Sequence, residues 1–279
     1  MKSILVTGAS TGIGEACALD LDRHGHKVYA GVRRSADGDQ LASKASDRLV
    51  PVILDVTDQA TIDAAAKRIS EESGNELHGL VNNAGIGRGG PLEFLELDEW
   101  REQLEVNVVG QVAVTKSMLG LIRSGHGRIV FIGSIGGKVA TMMMGPYNAS
   151  KFAIEGIGEA LRHELHPWGI NVAVVEPGAI RTEIWSKATE TADQLEASLS
   201  AEALSLYGRL MASMRKALQM QTRNAVPAQK AADAVRHALF DPRPRTRYLV
   251  GRDARAMSAM VRLLPDRARE ALVRRVAGP

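Results

Sequence analysis

The sequence predicts an α/β fold of the doubly wound type: a mostly parallel sheet of seven strands, helices on both faces, and a helical insertion near the carboxyl ends of the strands. Three observations carry that prediction. Short β-branched runs alternate with longer stretches of helical spacing, the pattern of repeated βαβ units. A glycine-rich turn, Thr7-Gly8-Ala9-Ser10-Thr11-Gly12-Ile13-Gly14, follows the first apolar run and opens the first helical stretch. Residues 181–224 then break the rhythm, being helix-prone and rich in Met and Leu with no strand among them.

Taken in order, the candidate strands are Ser3 to Thr7, Lys27 to Val32, Val50 to Leu54, Gly79 to Asn82, Gly127 to Ile132, Asn171 to Glu176 and Tyr248 to Val250. Helical spacing marks Gly12 to Arg23, Gln59 to Glu72, Glu99 to Ile122, Pro146 to Leu165 and Ala228 to Leu239. An insertion after a late strand of such a sheet lies where ligands bind, so 181–224 is expected to be a substrate lid. Residues 252–279 are expected to form a basic helical tail, and 1–279 to make one domain with these two appendages.

Composition narrows the class. A chain of 279 residues and 30.0 kDa that is 45% hydrophobic has enough apolar material for a well-buried core and is neither disordered nor fibrous. Its single cysteine, Cys17, cannot form an intrachain disulfide and falls where the first helix should pack on the first strand, so it reads as a small buried hydrophobe. The apolar run at Ile4-Leu5-Val6 is too short for a signal peptide. No run of about 18 apolar residues occurs, so a spanning helix is not expected, and a cytoplasmic protein is. A net charge of +3 and a pI near 9.1 are too mild to argue for nucleic acid. Ten arginines from Arg243 to Arg275 face only Asp253, Asp266 and Glu270, which reads first as a solvated face and second as a weak membrane-surface or partner contact.

The chemistry begins with Tyr147 and Lys151. Residues four apart on a helix share a face, so the ammonium of Lys151 is expected near the phenol of Tyr147. A free phenol has a pKa of about 10; a nearby cation favours the phenolate and lowers it, fitting the tyrosine to exchange protons at neutral pH. Tyr147 would then give a proton to a carbonyl oxygen or take one from an alcohol. Ser134, thirteen positions upstream of Tyr147, completes the set expected of a carbonyl/alcohol redox enzyme. His163 and His166 have no companions at metal-ligand spacing, so metal-free catalysis is expected.

At the other end, a glycine turn between strand and helix lets the backbone approach a pyrophosphate, and the helix start offers unpaired amides and a positive dipole end. The spacing here is Gly8-x3-Gly12-x-Gly14, with Ser10, Thr11 and Ile13 between. The second strand ends Val32-Arg33-Arg34 with no acid to hold an adenosine ribose. A charge-assisted bond to a 2′-phosphate is worth roughly 1.5–3 kcal/mol, about ten- to a hundredfold in affinity. NADP(H) is therefore expected in preference to NAD(H), without excluding it. Asp37 and Asp39 either blunt that preference or solvate the loop.

These residues resemble the short-chain dehydrogenases/reductases (SDRs). The matching elements are Thr7 to Gly14, Asp55-Val56, Asn82-Asn83-Ala84-Gly85, Asn107 in Val106-Asn107-Val108, Ser134, Tyr147-x3-Lys151 and Pro177-Gly178 followed by Thr182, in the family's order over most of residues 3 to 182. The resemblance implies a Rossmann-type fold with Asp55 and the Val56 backbone at the adenine and Asn83, Ala84 and Gly85 along the cofactor. It implies Ser134 on the substrate oxygen, Tyr147 as acid/base, and Lys151 on the nicotinamide ribose as well as beside the phenol. Asn107 should place a relay water, and Pro177, Gly178, Ile180 and Thr182 should border the nicotinamide. A homodimer or homotetramer through 99–122 and 146–165 is implied too. Asn83-Ala84-Gly85-Ile86-Gly87 leading to Gly90-Pro91-Leu92-Glu93, Lys151 to Gly156, and Pro242 to Tyr248 look like the steroid and retinol dehydrogenase branch, including the 17β-hydroxysteroid dehydrogenases. An apolar, lipid- or steroid-like carbonyl or alcohol substrate would meet Met143 and Trp185; Met142 to Met144 and Met211, Met214 and Met220 serve either as adaptable pocket wall or as filling of a loosely packed lid or subunit contact. The rival is a non-catalytic NADP(H) sensor of the same fold, which should have lost Ser134, Tyr147 or Lys151; all three are present.

Overall fold

A computed structural model describes residues 1–182, 196, 197, 199–223 and 225–277. Seven strands form one sheet: β1 (Ser3–Val6), β2 (Lys27–Val32), β3 (Leu49–Ile53), β4 (Gly79–Asn82), β5 (Arg128–Ile132), β6 (Val172–Pro177) and β9 (Arg247–Val250). They lie in the order β3-β2-β1-β4-β5-β6-β9, every pair parallel. The chain thus starts mid-sheet, runs outward through β2 and β3, then returns to β4 beside β1 and runs out the other way. That reversal opens a crevice at the carboxyl ends of β1 and β4, the place where such sheets bind ligands.

Side-chain alternation along each strand feeds two apolar layers. Ile4 and Val6 of β1 join the core that covers α1 (Gly12–Arg23) and α8 (Gln229–Phe240), whereas Leu5 joins the one under α3 (Gln59–Ser73), α5 (Gly110–Ser124) and α6 (Gly145–Leu165). Such fully buried aliphatic side chains stabilise by about 1.5–3 kcal/mol each. Cys17 lies wholly buried in the first layer, and burial beside Asp20 pushes its thiol upward, so it stays protonated and inert.

Several elements depart from the sequence reading. The helix expected over Glu99 to Ile122 is α4 (Leu97–Leu104), a π-helical turn over Glu105–Val109, and α5. At the junction a Cβ on Gly110 would come within 2.7 Å of the Val56 carbonyl oxygen, so glycine allows the helix to press onto the end of β3. Such turns widen the helix locally and recur at functional sites; this one carries Asn107, fully buried. A short helix α2 (Ser35–Ala42) was not foreseen, because its glycine and two aspartates hide any apolar stripe; it packs through Leu41 and Gly38, whose missing Cβ clears Pro51. The insertion is not strand-free at its margins, since β7 (Ile180–Arg181) pairs in parallel with β8 (Val226–Pro227). Between them lies α7 (Ala201–Arg223), and the chain closes with α9 (Arg252–Leu263) and α10 (Asp266–Ala277). No described helix is long and apolar enough to cross a membrane.

One hydroxyl ties the two halves of the sheet together. Thr7 Oγ1 accepts from the amides of Asn83 at 2.9 Å and Ala84 at 3.0 Å and donates to Val81 O at 3.4 Å. The Asn83 side-chain amide returns the contact, donating to the Thr7 and Gly8 carbonyls at 3.0 Å each.

At the far end of β6, Glu176 is fully buried. It faces Lys138 Nζ at 3.0 Å, Arg247 Nε at 3.4 Å, and Glu155 of α6, which the same Nε holds at 2.9 Å. Burial first, and the Glu155 charge second, raise the Glu176 carboxyl to about 7.

Two outcomes follow from these contacts. Thr7→Val keeps the shape but strands two partly buried amides, at roughly 1–3 kcal/mol; Tm should fall by about 3–10 °C, while Thr7→Ser should restore most of it. An unchanged Tm in the valine variant would remove the hydroxyl from the account. For Glu176, the folded state retains a proton that the unfolded chain sheds near its ordinary value of about 4.3. The associated stability is complete below that value and is lost as pH rises through about 7. Glu176→Gln should therefore gain in Tm relative to the parent between pH 5 and pH 8; a gap that does not change with pH would show that the carboxyl does not titrate in that window.

Candidate active site

The glycine turn folds as its spacing demands. Gly8 and Gly12 take left-handed φ values of 60° and 65°, which side chains with a Cβ rarely adopt. At Gly14 a Cβ would fall on the Gly8 carbonyl oxygen and the Asn83 side chain, so the first turn of α1 sits directly on the loop. Ser10 and Thr11 complete the loop, and Ile13 packs against the apolar layer beneath. Thr11, the N-cap of α1, makes no side-chain cap, so the first amides keep their donors. A bare backbone loop, no Cβ in the way and uncapped amides at a dipole end together fit a pyrophosphate.

Around this turn lie the other expected cofactor residues. Asp55 follows β3; its carboxylate accepts from Thr57 N at 3.0 Å and Thr57 Oγ1 at 2.8 Å, while Val56 is buried. Gly85 lies against Asn107, whose Oδ1 would be 3.2 Å from an added Cβ. Beyond β6, Gly178 N donates to Val250 O at 2.9 Å, Ile180 is buried, and the Thr182 side chain is 3.3 Å from where a Gly12 Cβ would stand. The segment Pro177 to Thr182 therefore bridges from β6 to the glycine turn. The two arginines after β2 differ. Arg34 is held by Asp37 in a two-point ion pair, at 2.9 and 2.7 Å, whereas Arg33 is exposed with no ion-pair partner among the described residues. Asp37 thus engages Arg34, which alters the equal weight the sequence gives the two.

Ser134, Tyr147 and Lys151 converge. Ser134 ends the stretch after β5 in extended backbone and accepts from Gly136 N at 3.0 Å. A Cβ on Gly136 would stand 3.3 Å from both Ser134 Oγ and Tyr147 Cε1, so that glycine is the space shared by the two side chains. Pro146 near the start of α6 suits a first turn, and Tyr147 and Lys151 follow on one face. Lys151 Nζ donates to Ile132 O at 2.8 Å and lies 5.8 Å from the Tyr147 ring centroid. Burial lowers the ammonium to about 8. Burial also raises the Tyr147 phenol, the Ser134 hydroxyl acting in the opposite direction. The lowered phenol expected from the lysine is not what this structure gives: desolvation raises it against the Ser134 hydroxyl, and the Lys151 ammonium is turned to a backbone carbonyl.

Asn107 makes three contacts from the π-helical turn. Its Oδ1 accepts from Ile86 N at 2.8 Å, and its Nδ2 donates to Ile86 O at 3.0 Å and Ser150 Oγ at 3.1 Å. Ser150 in turn donates to Tyr147 O at 2.7 Å. Ser150 escaped the sequence reading because its role rests on a contact with Asn107, 43 residues away in sequence. Asn82 donates to Thr115 Oγ1 at 2.8 Å, fastening β4 to α5. Met143 has φ 59° and its carbonyl accepts from Gly90 N at 2.7 Å, joining the loops 88–91 and 141–144. Trp185 lies outside the described residues.

Comparison with known proteins agrees with this geometry. The short chain dehydrogenase family model matches residues 2–193. The chain is similar to retinol dehydrogenase 16 of Rattus norvegicus, with 38% identity over 95% of this chain and 85% of that one. It is 37% identical to 17-beta-hydroxysteroid dehydrogenase type 6 of Bos taurus (95% and 85%) and 33% identical to the NADPH-dependent 3-dehydrocapnine reductase of Ornithobacterium rhinotracheale (96% and 94%). Among solved structures, a short chain dehydrogenase from Burkholderia cenocepacia in complex with NADP superposes with TM-score 0.74 at 27% identity, covering 100% of both chains. One from Burkholderia phymatum in complex with NAD gives 0.78 at 26%, covering 100% and 97%. With the glycine turn, the reversal of the sheet and the serine, tyrosine and lysine all in place, the chain belongs to the short-chain dehydrogenase/reductase family of oxidoreductases, in its retinol and steroid dehydrogenase-like branch.

Proposed function

We propose that the protein is an NADP(H)-preferring oxidoreductase that interconverts a ketone or aldehyde with the alcohol of an apolar, steroid- or retinoid-like substrate. The observation that carries the reading is the meeting of Ser134 and Tyr147 over Gly136, with Lys151 buried behind them, at the same carboxyl end of the parallel strands as the glycine turn. When bound, the nicotinamide supplies or accepts the hydride. The protein's own groups handle the oxygen and its proton. Ser134 donates to the substrate oxygen and steadies its developing charge. A phenol kept above its ordinary value is neutral at physiological pH, so Tyr147 holds the proton that carbonyl reduction consumes. Lys151 fixes the cofactor ribose. Asn107 holds α6 in place through Ser150 and places the relay water that the family resemblance implies.

The cofactor preference rests on Arg33, exposed at the end of β2 with no ion-pair partner among the described residues, with NAD(H) accepted less well. Asp55 and Val56 take the adenine end, and Asn83 to Gly85 with Pro177 to Thr182 flank the nicotinamide end. Residues 181–224 act as the lid, and Met143 lines the substrate side. The contact of α7 with the short helix Leu92–Phe94 supports that lid: Tyr207 donates to Glu93 at 2.8 Å and meets Phe94 edge-on at 5.9 Å. Exposed Leu97, Leu104 and Val109 on the α4–α5 side and Phe152 on α6 support self-association through these helices.

Tyr147→Phe preserves the packing and removes the proton. NADPH oxidation over a panel of keto-steroids, retinal, medium-chain aldehydes and cyclic ketones should fall by at least about a hundredfold, with NADPH binding retained; normal turnover would end the assignment. Arg33→Ala should weaken NADPH about ten- to a hundredfold and leave NADH unchanged, and Arg34→Ala should cost less. Equal or tighter binding of NADH by the parent protein would overturn the preference.

A further inference from the structure

The start of the basic tail reaches the cofactor side of the sheet through one carboxylate. Asp253 is the second residue of α9, a position that favours an anion, yet its side chain is not spent on the helix alone. Asp253 Oδ2 accepts from Ala179 N at 2.6 Å, across 74 residues of sequence. Two glycines make room for it. A Cβ on Gly178 would overlap both carboxylate oxygens, and a Cβ on Gly251 would overlap Oδ1. Gly251 also has φ 106°, a conformation open chiefly to glycine. The neighbouring amide, Gly178 N, is tied to Val250 O at 2.9 Å, in line with the pairing of Pro177 with Val250. The helix that carries Asp253 is anchored through buried Ala254 and Ser258 and touches the Ile135–Gly137 turn that follows Ser134. From Ala179 the chain runs by Ile180 to Thr182, which lies against Gly12 of the glycine turn.

We propose that Asp253 is a positioning residue for the nicotinamide half of the dinucleotide. It acts through Ala179, holding the Gly178 to Thr182 loop at the height that β6 and the glycine turn require, and it does so from the tail. The inference rests on the dinucleotide reading above and adds a residue to it. It also divides the tail: the beginning of α9 belongs to the cofactor site, whatever the arginines beyond it meet. The carboxylate is suited to this because a backbone amide bonds more strongly to a charged acceptor than to a neutral one. A loop held in advance loses less freedom when the nicotinamide arrives.

The test compares NADPH with adenosine 2′,5′-bisphosphate, which carries the adenosine end and no nicotinamide, on the full chain by calorimetric or fluorescence titration. Asp253→Ala should raise the Kd for NADPH about tenfold or more and leave the bisphosphate Kd within about twofold. Asp253→Asn should recover most of the loss, since its amide oxygen still accepts from Ala179. Asp253→Glu, which keeps the charge but displaces it by a methylene, should show the same split as alanine and serves if the alanine variant does not fold. An NADPH Kd unchanged in the alanine and glutamate variants, or both ligands weakened alike, would overturn the inference. Failure of the parent protein to bind NADPH at all would instead overturn the dinucleotide reading, and the inference with it.

Discussion

The structure depends on a close backbone approach where β1 and β4 end side by side. A parallel sheet whose chain starts in the middle must bring its first loop and the end of its fourth strand into close contact. Thr7 and Asn83 make that junction with two amides on one hydroxyl and two carbonyls on one side-chain amide. Gly8 and Gly14 make it sterically feasible, since a Cβ at either would strike the other segment. The reversal of the sheet and the uncapped first turn of α1 both lie at this contact.

Above that floor, depth decides the chemistry as much as spacing does. Four residues along a helix set Lys151 on the face of Tyr147, but the lysine is buried while the tyrosine is only partly so. A buried ammonium loses water and turns to the nearest carbonyl, Ile132. Desolvation likewise raises the phenol, against the Ser134 hydroxyl. The lysine, brought to about 8, is still mostly charged at neutral pH.

Local patterns were legible wherever one strand or helix carried the whole signal. Gly12 to Arg23 and Lys27 to Val32 stand as read, because a glycine turn and a continuous apolar run are self-contained. The π-helical turn at Asn107 was not, since it arises from Gly110 meeting Val56, a contact between segments some fifty residues apart. Arg33 and Arg34 look equivalent in sequence, and only the fold of α2 brings Asp37 round to one of them. Asp253 was counted as one of three acids offsetting a run of arginines, and nothing local distinguishes it. Its meaning comes from Gly178 and Gly251, one on each of two neighbouring strand ends. Residue types at a site can thus be read in sequence where the motif is contiguous, whereas the groups that hold those residues in position are visible only once the sheet is assembled.

The central claim is that this cleft moves a hydride and a proton together, the proton through Tyr147. The most direct test is stopped-flow oxidation of NADPH deuterated at C4, run with a carbonyl substrate in H2O and in D2O. The account predicts that deuterium in the cofactor and deuterium in the solvent both slow the same step, and that the solvent effect is lost in the residual reaction of Tyr147→Phe. NADPH that binds tightly, yet is oxidised by no carbonyl in an isotope-sensitive step, would contradict it and leave the fold as a dinucleotide sensor.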